Sequence, residues 1–257
     1  IRLNKLQEIL LEDGTNLTEG NFNNLYLKQT LTYNTLTDPF FPKKGVRISL
    51  SGQFTPPYSL LSGEKVEDKP LNEKYQWLEY HKWKFSADWY TPLNKNLVLR
   101  AKAKMGWLGG YNAALGAPPF ERFEMGGNGW NGQQAGFTGN DILALRGYAE
   151  DYLDGSQNGG GAAFSKFTVE LRYQVLNSPM SRAYLLAFVE GGNVWKQAGD
   201  FNPFDLKRSA GIGFRVHLPM FGTLGLDYGI GFDQPGINSK NWTKYGRFNL
   251  ILGFEPE

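Results

Sequence analysis

Alternation of apolar and polar residues at period two recurs along almost the whole chain, and that pattern fits half-buried β-strands and little else. Leu224, Leu226, Tyr228, Ile230 and Phe232 alternate with Gly225, Asp227, Gly229, Gly231 and Asp233. Ala210, Ile212, Phe214, Val216 and Leu218 alternate with Ser209, Gly211, Gly213, Arg215 and His217. Phe167, Val169, Leu171, Tyr173 and Val175 are set against Lys166, Thr168, Glu170, Arg172 and Gln174, and Leu97–Trp107 repeats the theme with Arg100, Lys102 and Lys104 on its polar side. No segment has convincing helical periodicity. The expectation is an all-β chain of about ten strands, over Ile1–Leu10, Phe22–Thr37, Gly45–Thr55, Tyr75–Thr91, Leu97–Leu108, Ala162–Val175, Arg182–Trp195, Lys207–Leu218, Thr223–Asp233 and Tyr245–Phe254.

Periodicity alone leaves open which face points inward. In a soluble sandwich the apolar set is the core; in a membrane barrel it meets lipid and the polar set lines the lumen. Two features favour the barrel. The strands run to about 9–14 residues, beyond the globular mode of ~5–6 and matching the ~9–11 needed to cross a bilayer. Short turns (Asp38–Lys44, Pro92–Asn96, Leu176–Ser181, Pro219–Gly222) also alternate with longer loops (Pro56–Lys74, Gly109–Gly161, Lys196–Asp205, Asp233–Lys244), the asymmetry expected of outer-membrane barrels. Trp83, Trp89, Tyr90, Trp107, Tyr173, Trp195 and Tyr228 near strand ends read as interfacial girdles.

Composition agrees. Aromatics make up 15% of the 257 residues and there are 32 glycines, a mix suited to strands and turns. Mean hydropathy is −0.42 and no stretch approaches the ~20 apolar residues of a membrane helix, a test that a barrel evades because lipid sees every second residue. A net charge of +2 gives no sign of a nucleic-acid partner, and zero cysteines exclude disulfides and thiolate metal sites. The chain starts at Ile1 without Met, which reads as a processed or truncated piece. No Gly-x-Ser-x-Gly elbow, phosphate loop or His-Glu-x-x-His motif is present, and His81 and His217 have no evident triad partner, so neither an enzyme nor a cofactor is expected.

The connection Gly109–Gly161 is too long for an ordinary loop. It reads either as a Gly-rich surface excursion or as a segment folded back into the lumen. Its embedded Trp130, Phe137, Ile142, Leu143, Leu145 and Tyr148 favour the second. Within it stand Phe120-Glu121-Arg122-Phe123, Gly126-Gly127 and Leu145-Arg146-Gly147-Tyr148, followed by Glu190-Gly191-Gly192-Asn193-Val194-Trp195 and Ser209-Ala210-Gly211-Ile212-Gly213-Phe214. In this combination the chain resembles the BamA family of outer-membrane assembly barrels over nearly its whole length.

The resemblance implies a 16-stranded antiparallel transmembrane β-barrel of the bacterial outer membrane, preceded by POTRA domains, of which this chain holds about the last ten strands. It implies a long loop (109–161) folded into the lumen, with Leu145, Arg146, Gly147 and Tyr148 as its locking motif and Glu170 and Glu190 as luminal anchors. It also implies a lateral seam at the last strand, where Gly246, Phe248, Leu250, Leu252 and Phe254 stand. Gly246 and Gly253 read equally as weakened packing at that seam or as barrel curvature. The chain departs from the family pattern in running on as Glu255-Pro256-Glu257 past its terminal aromatic. The implied partners are unfolded outer-membrane protein clients, accessory assembly lipoproteins and the lipid bilayer. A secretion transporter of the same superfamily and a passive porin are the alternatives.

Overall fold

The structure, a computed structural model, describes residues 2–3, 9–10, 16–17, 20–63, 69–129, 138–150, 152–153, 159–178, 181–218, 222–234 and 245–252. Nine strands make one antiparallel sheet in which chain neighbours are sheet neighbours. They are β1 (Leu27–Asn34), β2 (Gly45–Phe54), β3 (His81–Pro92), β4 (Leu97–Gly109), β5 (Ala163–Asn177), β6 (Arg182–Trp195), β7 (Lys207–Leu218), β8 (Gly222–Gly231) and β9 (Gly246–Leu252). Short turns and long connections alternate between them, so every long segment leaves the same end of the sheet.

The two faces of the sheet settle the question that alternation left open. On β5, Thr168, Glu170, Arg172 and Gln174 are buried, whereas Val169, Leu171, Tyr173 and Val175 are exposed. Ile212 and Phe214 of β7, Leu226 of β8, and Phe248 and Leu250 of β9 also point outward. A sheet with ions inside and oil outside is unstable in water, because uncovered apolar area costs about 25 cal/mol per Å². It suits a lipid solvent, which covers that area without penalty.

The strand bounds differ from expectation most in three places, and elsewhere by up to three residues at an end. Ile1–Leu10 contributes no tenth strand to the main sheet among the described residues: Arg2–Leu3 pairs with Gly20–Asn21, and Ile9–Leu10 with Asn16–Leu17. The sequence Asn4-Lys5 and Gln7-Glu8 breaks the alternation there. β1 begins at Leu27 rather than Phe22, because Phe22 is buried against Phe120, 4.9 Å between ring centroids, in the core of the long loop. β3 begins at His81 rather than Tyr75, since Leu71–Lys74 forms a helical turn and Tyr80 is held by Gln53 and Asn24.

Not all the expected girdle residues face lipid. Trp83, Trp89 and Tyr173 are exposed, but Tyr90 is buried on the inner face beneath the guanidinium groups of Arg100 and Arg172. Trp195 is covered by Phe201, which meets Trp107 as well.

The interior is layered. At the long-loop end an apolar core forms around Phe120, Phe123, Met125, Leu145 and Tyr148 of the loop, with Leu108 and Phe164 of the sheet. At the short-turn end Phe41, Tyr90, Val98, Tyr184, Leu186 and Phe188 form a second apolar cluster. Between them lies a lattice of buried ions.

Candidate functional site: an ionic lattice around Arg146

The loop between β4 and β5 folds onto the inner face of the sheet. Phe123–Met125 pairs in parallel with Asp141–Leu143, and the bridge Phe123↔Gly161 ties this pair to the start of β5. Of the loop aromatics picked out from sequence, Tyr148 is fully buried, while Trp130 and Phe137 lie outside the described residues. Arg122 donates to the carbonyls of Pro118, Gly160 and Ala117, bracing the loop against itself.

Leu145 is buried in the loop core, and the next residue, Arg146, points into the lattice. Its Nη2 lies 2.8 Å from Glu170 of β5 and 2.6 Å from Glu190 of β6, while Nη1 lies 3.3 Å from Asp227 of β8. The backbone N–H of Arg146 donates to the second oxygen of Glu190 at 3.1 Å. The guanidinium also stacks on Phe188, 3.6 Å from its ring centroid. One planar fork therefore gathers three carboxylates from three strands, a task that suits arginine's several rigidly placed donors and not lysine's point charge.

Each carboxylate has a further cation. Glu170 is contacted by Arg172 at 2.5 Å and by Arg100 at 3.1 Å, and Arg100 also makes a bidentate pair with Asp88. Glu190 receives Lys166 at 3.0 Å, and Asp227 holds Arg215 through both of its oxygens at 2.6 and 2.7 Å. All of these groups are almost wholly shielded from solvent except Asp88 and Lys166, which are nearly so. Charges in such a place require full pairing, because an unpaired one costs several kcal/mol.

The motif glycine has a separate role. Gly147 has φ +91°, and a Cβ there would lie 2.7 Å from the backbone of Ile230 and Gly231. On the facing strand, a Cβ at Gly229 would meet the backbone N of Gly147 at 3.0 Å. Loop and β8 thus touch backbone to backbone. Tyr148 closes the contact: its hydroxyl donates to the Arg208 carbonyl at 2.7 Å and accepts the Asp233 N–H at 3.1 Å.

The structure therefore brings Arg146, Glu170 and Glu190 together and sets Leu145, Gly147 and Tyr148 around them. Sequence reasoning placed Arg100, Arg172, Arg215 and Asp227 on polar strand faces but missed them as site residues. It also missed Asp88, Lys166, Phe188 and Gly229. Their signal is register, which alternation does not carry.

At the far edge, β9 pairs with β8 from Ile230↔Gly246 to Leu224↔Leu252. Phe248 and Leu250 face outward, while Phe254 and the side chain of Leu252 lie outside the described residues. Gly246 pairs with Ile230, and Gly253 lies outside the described residues. The Tyr228 ring lies over Gly246, filling the space where a side chain would be.

The protein-family comparison matches residues 4–255 to the Omp85 superfamily domain. Among solved structures, the chain is similar to BamA from Haemophilus ducreyi lacking POTRA domains 1–3, at 18% identity and a TM-score of 0.55, covering 88% of this chain and 41% of that one. It is also similar to CdiB from Escherichia coli, at 16% identity and a TM-score of 0.48, covering 81% of this chain and 33% of that one. The chain thus spans less than half the length of either structure, and at 18% identity the likeness to the BamA structure is one of fold. With the family model matched almost end to end, the chain belongs to the Omp85 superfamily of outer-membrane β-barrel proteins.

Proposed function

We propose that this chain is the C-terminal part of a 16-stranded barrel, carried behind POTRA domains, that folds and inserts other β-barrels into the bacterial outer membrane. The observation that carries this reading is where the loop lands. Through Arg146–Asp227 and the Gly147–Gly229 approach, the loop is fastened to β8, and β8 is the neighbour that holds edge strand β9. An edge strand offers a row of backbone donors and acceptors on which another chain can add a strand. In this reading the lock keeps β8 in place while β9 is presented to an unfolded outer-membrane client, with lipoproteins assisting and lipid covering the outer face.

The test is reconstitution of the whole protein, its POTRA domains included, in vesicles with a urea-denatured outer-membrane β-barrel. Assembly predicts that the client becomes folded and protease-resistant within the bilayer, and that Arg146→Ala abolishes the gain. If the client is instead delivered across the bilayer into the vesicle interior, the protein is a secretion transporter and the assembly reading fails. A passive porin would conduct ions steadily and do neither.

A further inference from the structure

The same loop carries two acids that the Arg146 site does not use, Glu121 mostly covered and Asp141 about one-third exposed, and both meet lysines of β3. Glu121 and Asp141 are presented side by side, since Asp141 pairs with Phe123 in the parallel ladder and Glu121 lies two residues before Phe123. Lys82, with only 2% of its side chain exposed, has its Nζ 3.1 Å from Glu121 and 2.7 Å from Asp141. Lys84, on the same face of β3, reaches the other oxygen of Asp141 at 3.0 Å. The second oxygen of Glu121 accepts from Asn24 at 3.0 Å, and Asn24 in turn accepts from Tyr80.

The backbone is bent to make this contact. Glu121 has φ +61°, a left-handed conformation that costs an L residue with a long side chain and persists where surrounding contacts hold it. Gly139 clears its path, for a Cβ there would lie 2.8 Å from the Glu121 carboxylate. Two cations and two anions balance within this cluster, at whose centre Lys82 is buried and needs pairing, while Lys84 and Asp141 at its rim are each about one-third exposed.

We infer that Lys82, seconded by Lys84, is an independent anchor for the loop, opposite in polarity to the Arg146 anchor. At one site the loop supplies the cation and the strands β5, β6 and β8 supply the acids. At the other the loop supplies the acids and β3 supplies the cations. The loop is then a brace tying the β3 wall to β8, and Lys82 is a positioning residue that acts on the sheet through it. The opposite polarities also fix orientation, because exchanging the two ends of the loop would set like charges together. This deepens the loop-lock reading, yet it can fail or stand without it.

This chain has no cysteine, so once any cysteine elsewhere in the whole protein is replaced, single thiols report on each anchor separately. In the whole protein in outer-membrane vesicles, Ile142→Cys reports the β3 anchor and Ala149→Cys the Arg146 anchor, by rate of maleimide labelling. Lys82→Met keeps the buried stem and removes the charge. It should raise labelling at position 142 by ~10-fold or more while position 149 stays within about twofold, and Lys82→Arg should label like the parent. Unchanged labelling at 142, or an equal rise at both positions, overturns the inference. Arg146→Ala separates the two readings: labelling at 149 alone should rise, and if neither site responds while Lys82→Met still exposes 142, the Arg146 lock fails and the Lys82 anchor stands. Should Lys82→Met lose the heat-modifiable mobility of a folded barrel, Asp141→Asn, which leaves Lys82 paired with Glu121, replaces it. A several-fold rise confined to 142 is then expected, and no rise overturns the inference.

Discussion

Replacing Arg146 by Ala removes the cation shared by Glu170, Glu190 and Asp227, and its cost can be worked from the lattice. At an effective dielectric of about 20, each contact between unit charges near 4 Å is worth roughly 4 kcal/mol. Three such contacts would be a large sum, but none of the acids is orphaned by the change. Glu170 keeps Arg172 and Arg100, Glu190 keeps Lys166, and Asp227 keeps Arg215. The loss should therefore sit at the low end of the ~3–5 kcal/mol for breaking a buried pair, about 3 kcal/mol. That corresponds to an opening equilibrium for residues 145–148 shifted on the order of 100-fold. Arg146→Lys keeps the charge but loses the fork and the stacking on Phe188, and should shift opening by about tenfold. Labelling of Ala149→Cys in native membranes reads both, under conditions where reclosing is faster than labelling. Rates within twofold of the parent for Arg146→Ala would show that the carboxylates hold nothing in place, and the lock would be refuted.

Other expectations follow from the same geometry. Gly147→Ala should undock the loop nearly as fully as Arg146→Ala although it alters no charge, because φ +91° and a 2.7 Å approach to the β8 backbone leave no room for Cβ; protease cleavage within the loop reads this. Leu171→Arg on the outer face should cost about 2–4 kcal/mol of folding stability in lipid vesicles, whereas a water-facing sheet would tolerate it. At the turn between β1 and β2, burial works against the Asp38 carboxylate, but the N–H groups of Phe41 and Phe40 and the Arg182 guanidinium outweigh it and hold its pKa below 3.8. Because that pKa is depressed on folding, the contribution is present above the ordinary value and is lost as pH falls through the lower folded one. Both side chains of the pair are about one-third exposed, so the effect should stay under about 1 kcal/mol, and Asp38→Asn should remove the acid dependence of labelling at a thiol placed at Lys44.

How far the sequence can be read is clearest on three strands. On β5 alternation is strict, and the sequence alone separates its two faces. On β6 it is not: Tyr184, Leu186 and Phe188 turn inward while Leu185, Ala187 and Val189 turn outward, so the strand is apolar on both faces. Lipid and a buried cluster look alike in such a run. Tyr90 was misplaced for a similar reason, since an aromatic at a strand end fits a girdle or a floor equally well. On β8 the polarity of Asp227 was plain, but its partnership was not. Asp227 faces Gly213 in the ladder, and Gly213 leaves the space in which the carboxylate sits; a Cβ there would lie 1.9 Å from it. Pairing across strands depends on register, and register is set by turns and packing that a single alternating strand does not encode. The motif Leu145–Tyr148 was found through resemblance, whereas its fit onto Gly229 and Gly231 needed the fold.

The position of the ions argues for what they do. A buried ion network is weak evidence for stability, because well-packed apolar side chains of similar volume do as well or better. Here apolar clusters already lie on both sides of the lattice, so an oily middle was available to the fold. What ions add is discrimination. Leu145 can slide among apolar neighbours at little cost, but Arg146 shifted by one residue would carry a buried guanidinium away from its three carboxylates, and Gly147 would no longer meet Gly229. Layers of oil above and below keep water from softening that penalty. The lattice is thus better understood as fixing where the loop sits along the strands than as strengthening the barrel. A double substitution to matched apolar residues at Arg146 and Glu190 should then cost less thermal stability than the Glu190 change alone, which leaves both Arg146 and Lys166 short of a carboxylate, while the loop loses its unique docked position.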